Sequence, residues 1–200
     1  MITMSVQSDL VRAMAQLRSI TEAQQFRFAV AKALTQTAAD VQTEVKKNMP
    51  QRFTIRRPWV IQGIKMDKAT KDSLTARVYS RDKFMTLQEL GGEKSPLRNW
   101  IAIPTSAVKR TKTDIIRAAD RPKALGDKVA IVDVHGHKFL ALKKGRKGSS
   151  GNQLRLLYLL VPRAHMQKRL GLEKDGMRVA PARFAVNLQQ ALQDAVRTAK

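Results

Sequence analysis

Residues 154–161, LRLLYLLV, are apolar on both faces of any strand they form. Leu154, Leu156, Tyr158 and Leu160 point one way, Leu157, Leu159 and Val161 the other, and only Arg155 interrupts the second face. A strand of this kind lies in the middle of a covered sheet or is buried by another subunit. Directly before it runs LKKGRKGSSGNQ, with Lys143, Lys144, Arg146 and Lys147 set among glycines and serines. A segment that seeks solvent therefore abuts one that seeks burial. An arm rooted in a buried strand suits a part that docks into an assembly.

Two amphipathic stretches supply a cover for such a sheet. Leu10, Met14 and Leu17 form a first stripe, and Thr21 with Gln24 a capping box before a second. In the second, Phe26, Val30, Ala33, Leu34, Val41, Val45 and Met49 recur at spacings of three and four, and Pro50 ends the series. Near the C-terminus Pro181 stands close to a helix start, followed by Phe184, Leu188, Ala191, Leu192 and Ala195 at helical spacing. Between these helices the pattern changes to period two. WVIQGIKM and LTARVYS read as paired strands around the loop DKATKD, DKFMTLQEL as a short helix stopped by Gly91 and Gly92, and WIAIP as a strand. KTDIIRAAD reads as a short helix before Pro122, and KVAIVDV and KFLALKK flank a tight turn at His135-Gly136-His137. The expected fold class is α+β: one domain over residues 1–200, with an antiparallel sheet packed by a long N-terminal helix and a C-terminal helix. Its regions are a helical 8–49, mostly antiparallel strands over 52–162 with the basic loop at 143–152, and a closing helix over 180–199.

Charge narrows the class of partner. Thirty-eight Lys and Arg against 16 Asp and Glu give +22, of which residues 1–50 carry only +2. Such a field favours polyanions or acidic protein surfaces. Aromatic residues are 5% of the chain, thin for a protein that stacks single-stranded bases. The chain has no cysteine, which excludes a disulfide scaffold and Cys-ligated zinc. No apolar run reaches the roughly 20 residues of a membrane-spanning helix, and the start, MITMSVQSDL, lacks the pattern of a secretory signal.

Catalytic patterns are sparse. Asp133, His135 and His137 would share one face of a straight strand as three metal ligands, but Gly136 and the polar setting favour a hairpin tip. His165 reads as a surface residue. GRKGSSGN has the glycines of a phosphate cradle without the Gly-Lys-Ser/Thr ending or a helix to follow. Acidic residues stand singly beside Lys or Arg, the pattern of a solvated surface. The reading is that the chain is no enzyme, with no catalytic residue, metal or cofactor. Two basic clusters remain as partner-binding candidates. RFTIRRPW interleaves Arg52, Arg56 and Arg57 with Phe53 and Trp59, a composition of phosphate-binding edges and of Arg-rich protein interfaces. Lys143, Lys144, Arg146 and Lys147 form the other.

In this order the chain resembles small tail proteins of tailed bacteriophages, namely the minor tail protein Z family and related tail-completion proteins. The resemblance covers most of the length. It rests on the long N-terminal amphipathic helix, on SRDKFMTLQELGGEKSP running into WIAIPTS, on the basic glycine-rich stretch before LYLLVPRAHMQKRLGL, and on the closing RFAVNLQQALQDAV. LQELGGEKSP is similar to the acidic-plus-glycine turn of many tail-completion proteins, whereas APARFAV is a loose version of their Pro-Phe and Pro-Ala motif. The resemblance implies a structural virion protein at the head-proximal end of the tail, assembled in the host cytoplasm, that completes or terminates the tail and joins it to the head. Its implied partners are other tail and neck proteins and copies of itself in a homo-oligomeric ring, with non-specific DNA contact and no membrane. The competing expectation is a basic nucleic-acid-binding protein, for which +22 speaks. No helix-turn-helix, zinc-finger or RNA-recognition signature accompanies that charge.

Overall fold

The structure, a computed structural model, describes residues 20–96, 99–143 and 155–198. The fold is α+β, and its contacts divide the chain into two compact units: residues up to Gly91 together with those from Gln167 onward, and the segment Gly92–Met166 between them. The first N-terminal stripe, Leu10 to Leu17, lies outside the described residues.

The first unit is built on two long helices, α1 (Ile20–Arg52) and α5 (Leu172–Thr198). Their cross-links pair Lys32 with Asp194, Asp40 with Asn187, Glu44 with Arg178 and Arg52 with Asp175. The numbers rise on α1 as they fall on α5, so the helices are antiparallel. At one end the contact is made by Ala29, Ala33 and Ala191, small side chains that let the helices approach closely, with Phe184, Leu188 and Leu192 packed around them. Further along, Val41, Val45 and Met49 of α1 meet Leu172 and Ala180 of α5 and turn their stripe onto a two-stranded antiparallel sheet. That sheet is β1 (Ile64–Asp67) with β2 (Arg77–Ser80), whose Ile64 and Val78 point inward. Burying each such side chain contributes about 1.5–3 kcal/mol. Gln42 donates to the Ile64 carbonyl at 2.9 Å and Thr35 Oγ1 accepts from Ala69 N at 3.1 Å, fixing the sheet on α1. A single turn, α2 (Trp59–Gln62), and a short helix, α3 (Phe84–Leu90), complete this unit.

The second unit is a four-stranded antiparallel sheet in the order β4 (Ile101–Pro104), β7 (Leu156–Val161), β6 (His137–Leu142), β5 (Val129–Val134). The strand apolar on both faces, β7, takes an interior place between β4 and β6, as its composition requires. Opposite Leu140 and Ala141 the register slips, with Leu140 facing Tyr158 and Ala141 facing Leu156. Leu157 is thus the extra residue of a bulge, and both it and Tyr158 enter one core cluster with Val108 and Leu125. Thr105 Oγ1 donates to the Leu156 carbonyl at 2.7 Å beside the bulge. Segment 105–128 covers this face. It includes α4 (Pro122–Leu125) between short 3-10 turns at Ala118–Asp120 and Gly126–Lys128. Tyr158 is buried, and its hydroxyl donates to the Asp120 carbonyl at 2.6 Å. Burial, with the Asp120 charge, raises its pKa. On the opposite face Ile103, Leu159, Phe139 and Val132 stand in one cross-strand row, each only partly buried or exposed. A short ladder of β3 (Gly92–Lys94) with β8 (Ala164–Met166) joins the entry and exit of this unit.

Several elements differ from their sequence-based expectation. WVIQGIKM divides into the turn α2 and the strand β1; Gly63 between them keeps helical angles, and its missing side chain leaves room for the Asp82 carboxylate. KTDIIRAAD forms no α-helix; an Arg110–Ile116 bridge and a 3-10 turn take its place, with Asp114 at positive φ. The C-terminal helix begins at Leu172, so Pro181 lies inside it. Proline there leaves the Met177 carbonyl without its helical donor. Met177 is on the exposed side of the helix, where water can serve it. Pro50 is likewise within α1, which ends two residues later.

Candidate functional site

The cluster around residues 52–59 divides between an internal tie and a surface. Arg52 closes the last turn of α1 and reaches α5. Its Nη1 is 2.7 Å from Asp175 Oδ2, its Nη2 is 2.8 Å from Oδ1, and Nη1 also donates to the Leu170 carbonyl. Asp175 is 2% exposed. Burial alone would raise its pKa, but hydrogen bonds from Arg52 and Asn48, with the charges of Arg52 and Arg178, outweigh that and hold it below the ordinary carboxylate value. The same bond to Asp175 raises the pKa of Arg52. Alongside, Glu89 at the end of α3 is buried and receives the backbone N–H of Leu172 at 2.9 Å and of Glu173 at 3.0 Å. These are orphan donors at the start of α5, and a carboxylate also suits the positive end of the helix dipole. Arg52 is thus held inside the first unit by a bidentate pair.

Arg56 and Arg57 are exposed, on the approach to Trp59. Trp59 and Phe84 meet edge to face with centroids 6.0 Å apart and planes at 86°, and each is 47% exposed. Lys83, exposed, precedes Phe84. Two large rings open to solvent, with Arg and Lys next to them in the chain, make an exposed patch of the composition found at interface centres. A separate groove of about 560 Å³ lies between α1 and residues 69–71, walled by Phe28, Ala31, Thr35 and the stems of Lys32 and Lys71. It is apolar within and cationic at its rim.

The second basic cluster has described feet. β6 ends at Leu142 and β7 begins at Leu156, and Leu142 N donates to the Arg155 carbonyl at 3.1 Å. Lys143 is exposed and its N–H donates to the Lys128 carbonyl at 2.8 Å. Arg155 Nη2 donates to the Ala107 carbonyl at 2.7 Å. The basic insert thus springs from two hydrogen-bonded neighbouring strands. Lys144, Arg146 and Lys147 lie outside the described residues.

His135 and Gly136 form the two-residue turn between β5 and β6, at φ 53° and 77°, and Asp133 Oδ1 accepts from Gly136 N at 2.9 Å. Asp133 therefore serves the turn. Among the described residues, no group of three or more His, Asp or Glu is placed to hold a metal. His165 is exposed on β8. Among the described residues, no helix is long and apolar enough to cross a membrane.

Sequence reasoning missed Glu89, Asp175 and the pairing of Trp59 with Phe84. Asp175 had a local signal: Gly171 followed by Glu173 and Asp175 is an acidic first turn after a glycine. The other contacts join residues far apart in the chain. Comparison with protein-family models, with curated proteins and with solved structures gives no match.

Proposed function

We propose that this chain is a structural protein of a tailed-bacteriophage virion that acts in tail completion and in joining tail to head. It contacts tail and neck proteins at the head-proximal end of the tail and works as a homo-oligomeric ring assembled in the host cytoplasm. The observation that carries this reading is the basic insert, whose two feet are adjacent hydrogen-bonded strands of the second unit's sheet. The cationic run of Lys143, Lys144, Arg146 and Lys147 stands in the chain between these two strands, and a run of that charge suits an acidic neighbour in an assembly. The resemblance of the segment order to that of tail-completion proteins and the exposed Trp59–Phe84 pair near Arg56 and Arg57 support it too.

The test replaces Lys143, Lys144, Arg146 and Lys147 with Ser and complements a phage lacking this gene. Circular dichroism and melting of the variant should match the parent, since a polar, glycine-rich run of sequence contributes little to a core. Heads and tails should remain unjoined in electron micrographs, with infectivity lost. Fully joined, infectious virions would remove the docking role. The competing reading, a dedicated nucleic-acid binder, is favoured by the net charge of +22. It requires tight duplex or single-strand binding at about 150 mM salt. The virion reading expects weak, non-specific binding that fades there.

A further inference from the structure

The sheet of the second unit ends on one side in β5, a six-residue strand, VAIVDV, with no neighbour beyond it among the described residues. Natural edge strands are commonly short, or carry lysine, proline or a bulge that blocks pairing. β5 is long, regular in its register with β6, and holds one ionisable residue, Asp133. Ile131 at its centre is 59% exposed.

The tight turn at His135-Gly136 determines which backbone groups are free. A two-residue hairpin makes Val134 and His137 a hydrogen-bonded pair, and alternation then assigns the same to Val132 with Phe139 and Ala130 with Ala141. The N–H and C=O groups of Val129, Ile131 and Asp133 therefore point away from β6, along the open edge.

We propose that this edge is a self-association site at which β5 pairs antiparallel with β5 of a second copy, about a two-fold axis through Ile131. The inference rests on the sheet alone and does not depend on the virion reading. Only registers that place a residue opposite itself satisfy an antiparallel two-fold and keep the same sheet face outward in both copies. With Ile131 opposite Ile131, Val129 falls opposite Asp133 and Asp133 opposite Val129, so each outward-pointing residue meets an outward-pointing residue. In this register each Asp133 faces Val129 of the second copy rather than its own counterpart, so the one acid of the strand is not set against its like. Repulsion between two copies of net charge +22 acts at longer range and is screened beyond about 8 Å at physiological salt. Pairing also buries the exposed Ile131 against its counterpart. It places the apolar rows Ile103–Leu159–Phe139–Val132 of the two copies on the same side, where each alone is open.

The experiment uses the full chain at micromolar concentration in about 150 mM salt. Sedimentation should find a dimer for the parent and a monomer for Ile131→Pro. Proline at this position removes an outward donor while leaving the ladder to β6 in place, so circular dichroism should be unchanged. A second readout does not depend on how Ile131→Pro folds. The chain has no cysteine, so Ile131→Cys carries a single thiol. Across the axis its Cα would lie about 5.5 Å from its counterpart, within disulfide range. Mild oxidation should therefore link Ile131→Cys into covalent dimers. Ala130→Cys, whose counterpart is a diagonal neighbour about 7–8 Å away, should stay unlinked. A parent that sediments as a monomer, a dimer that survives both Ile131→Pro and Ile131→Lys, or equal cross-linking at 130 and 131 would each overturn the proposal.

Discussion

Arg52 and Asp175, 123 residues apart in sequence, face each other in a two-pronged ion pair that ties the end of α1 to the first turn of α5. Asp175 is almost fully buried while Arg52 keeps about a quarter of its side chain exposed. Removing Arg52 therefore strands a carboxylate without its counter-charge. Arg52→Ala should lower stability by about 3 kcal/mol, read as a fall in the urea midpoint. Arg52→Lys should recover less than half of that, because an ammonium cannot reproduce the fork that spans both carboxylate oxygens.

The same pair sets a dependence on acid. The folded-state pKa of Asp175 lies below its ordinary value of 3.8, so the unfolded chain takes up the proton first as pH falls. Its contribution is fully present above the ordinary value and is lost as pH drops through the folded-state pKa. Urea midpoints measured between about pH 5 and pH 2 should therefore fall more steeply for the parent than for Asp175→Asn. The two proteins should show parallel profiles above about pH 6.

Glu89 takes the place of a capping residue that α5 does not supply from its own sequence. Glu89→Ala should cost about 1–2 kcal/mol, the range for losing an N-terminal cap. Glu89→Gln should fall between, since it keeps one acceptor oxygen and loses the charge facing the helix dipole. Thermal melts of the three proteins at neutral pH decide the order.

Gly171 adopts φ 65°, and a Cβ there would come within 2.9 Å of Arg52 Nη1. Gly171→Ala should thus destabilise twice over, through backbone strain and by pushing the guanidinium off Asp175. A double variant with Arg52→Ala should lose less than the sum of the two single changes, because the shared contact is already gone.

Leu34 lies in the α1 stripe and is buried at 4% exposure. Leu34→Asp should abolish soluble folding, since an unpaired buried carboxylate costs several kcal/mol. Expression and far-ultraviolet circular dichroism give the readout, and a soluble, helical protein would show that the stripe is not core.

What the sequence disclosed follows from the range of the forces involved. The α1 stripe is periodic, and Val30, Ala33, Leu34, Val41, Val45 and Met49 are all buried as that period predicts. The interior position of β7 was readable because two apolar faces leave a strand few other places, and the turn at His135-Gly136 because glycine favours positive φ. Arg52 shows the opposite case. Read beside Arg56 and Arg57 it belongs to a cationic cluster, yet its partner is Asp175, which no local spacing connects to it. The start of α5 was placed too late because Pro181 resembles a first-turn proline, while Glu89, its cap, is more than 80 residues upstream. The β3–β8 ladder joins segments too short to carry any period of their own.

The division of the first unit between the two ends of the chain bears on the order of events during synthesis. Residues 92–166 form a contiguous stretch whose sheet can close as soon as it has left the ribosome. The stripe of α1, made first, has no α5 to meet until the last helix has emerged. At about 5–20 residues per second that delay lasts from several seconds to half a minute. During this interval the side of α1 that only α5 covers, around Ala29 and Ala33, is open to whatever is nearby, a chaperone or another nascent chain. A premature stop anywhere before α5 would make that exposure permanent, so truncated products of this gene should be lost to aggregation or proteolysis.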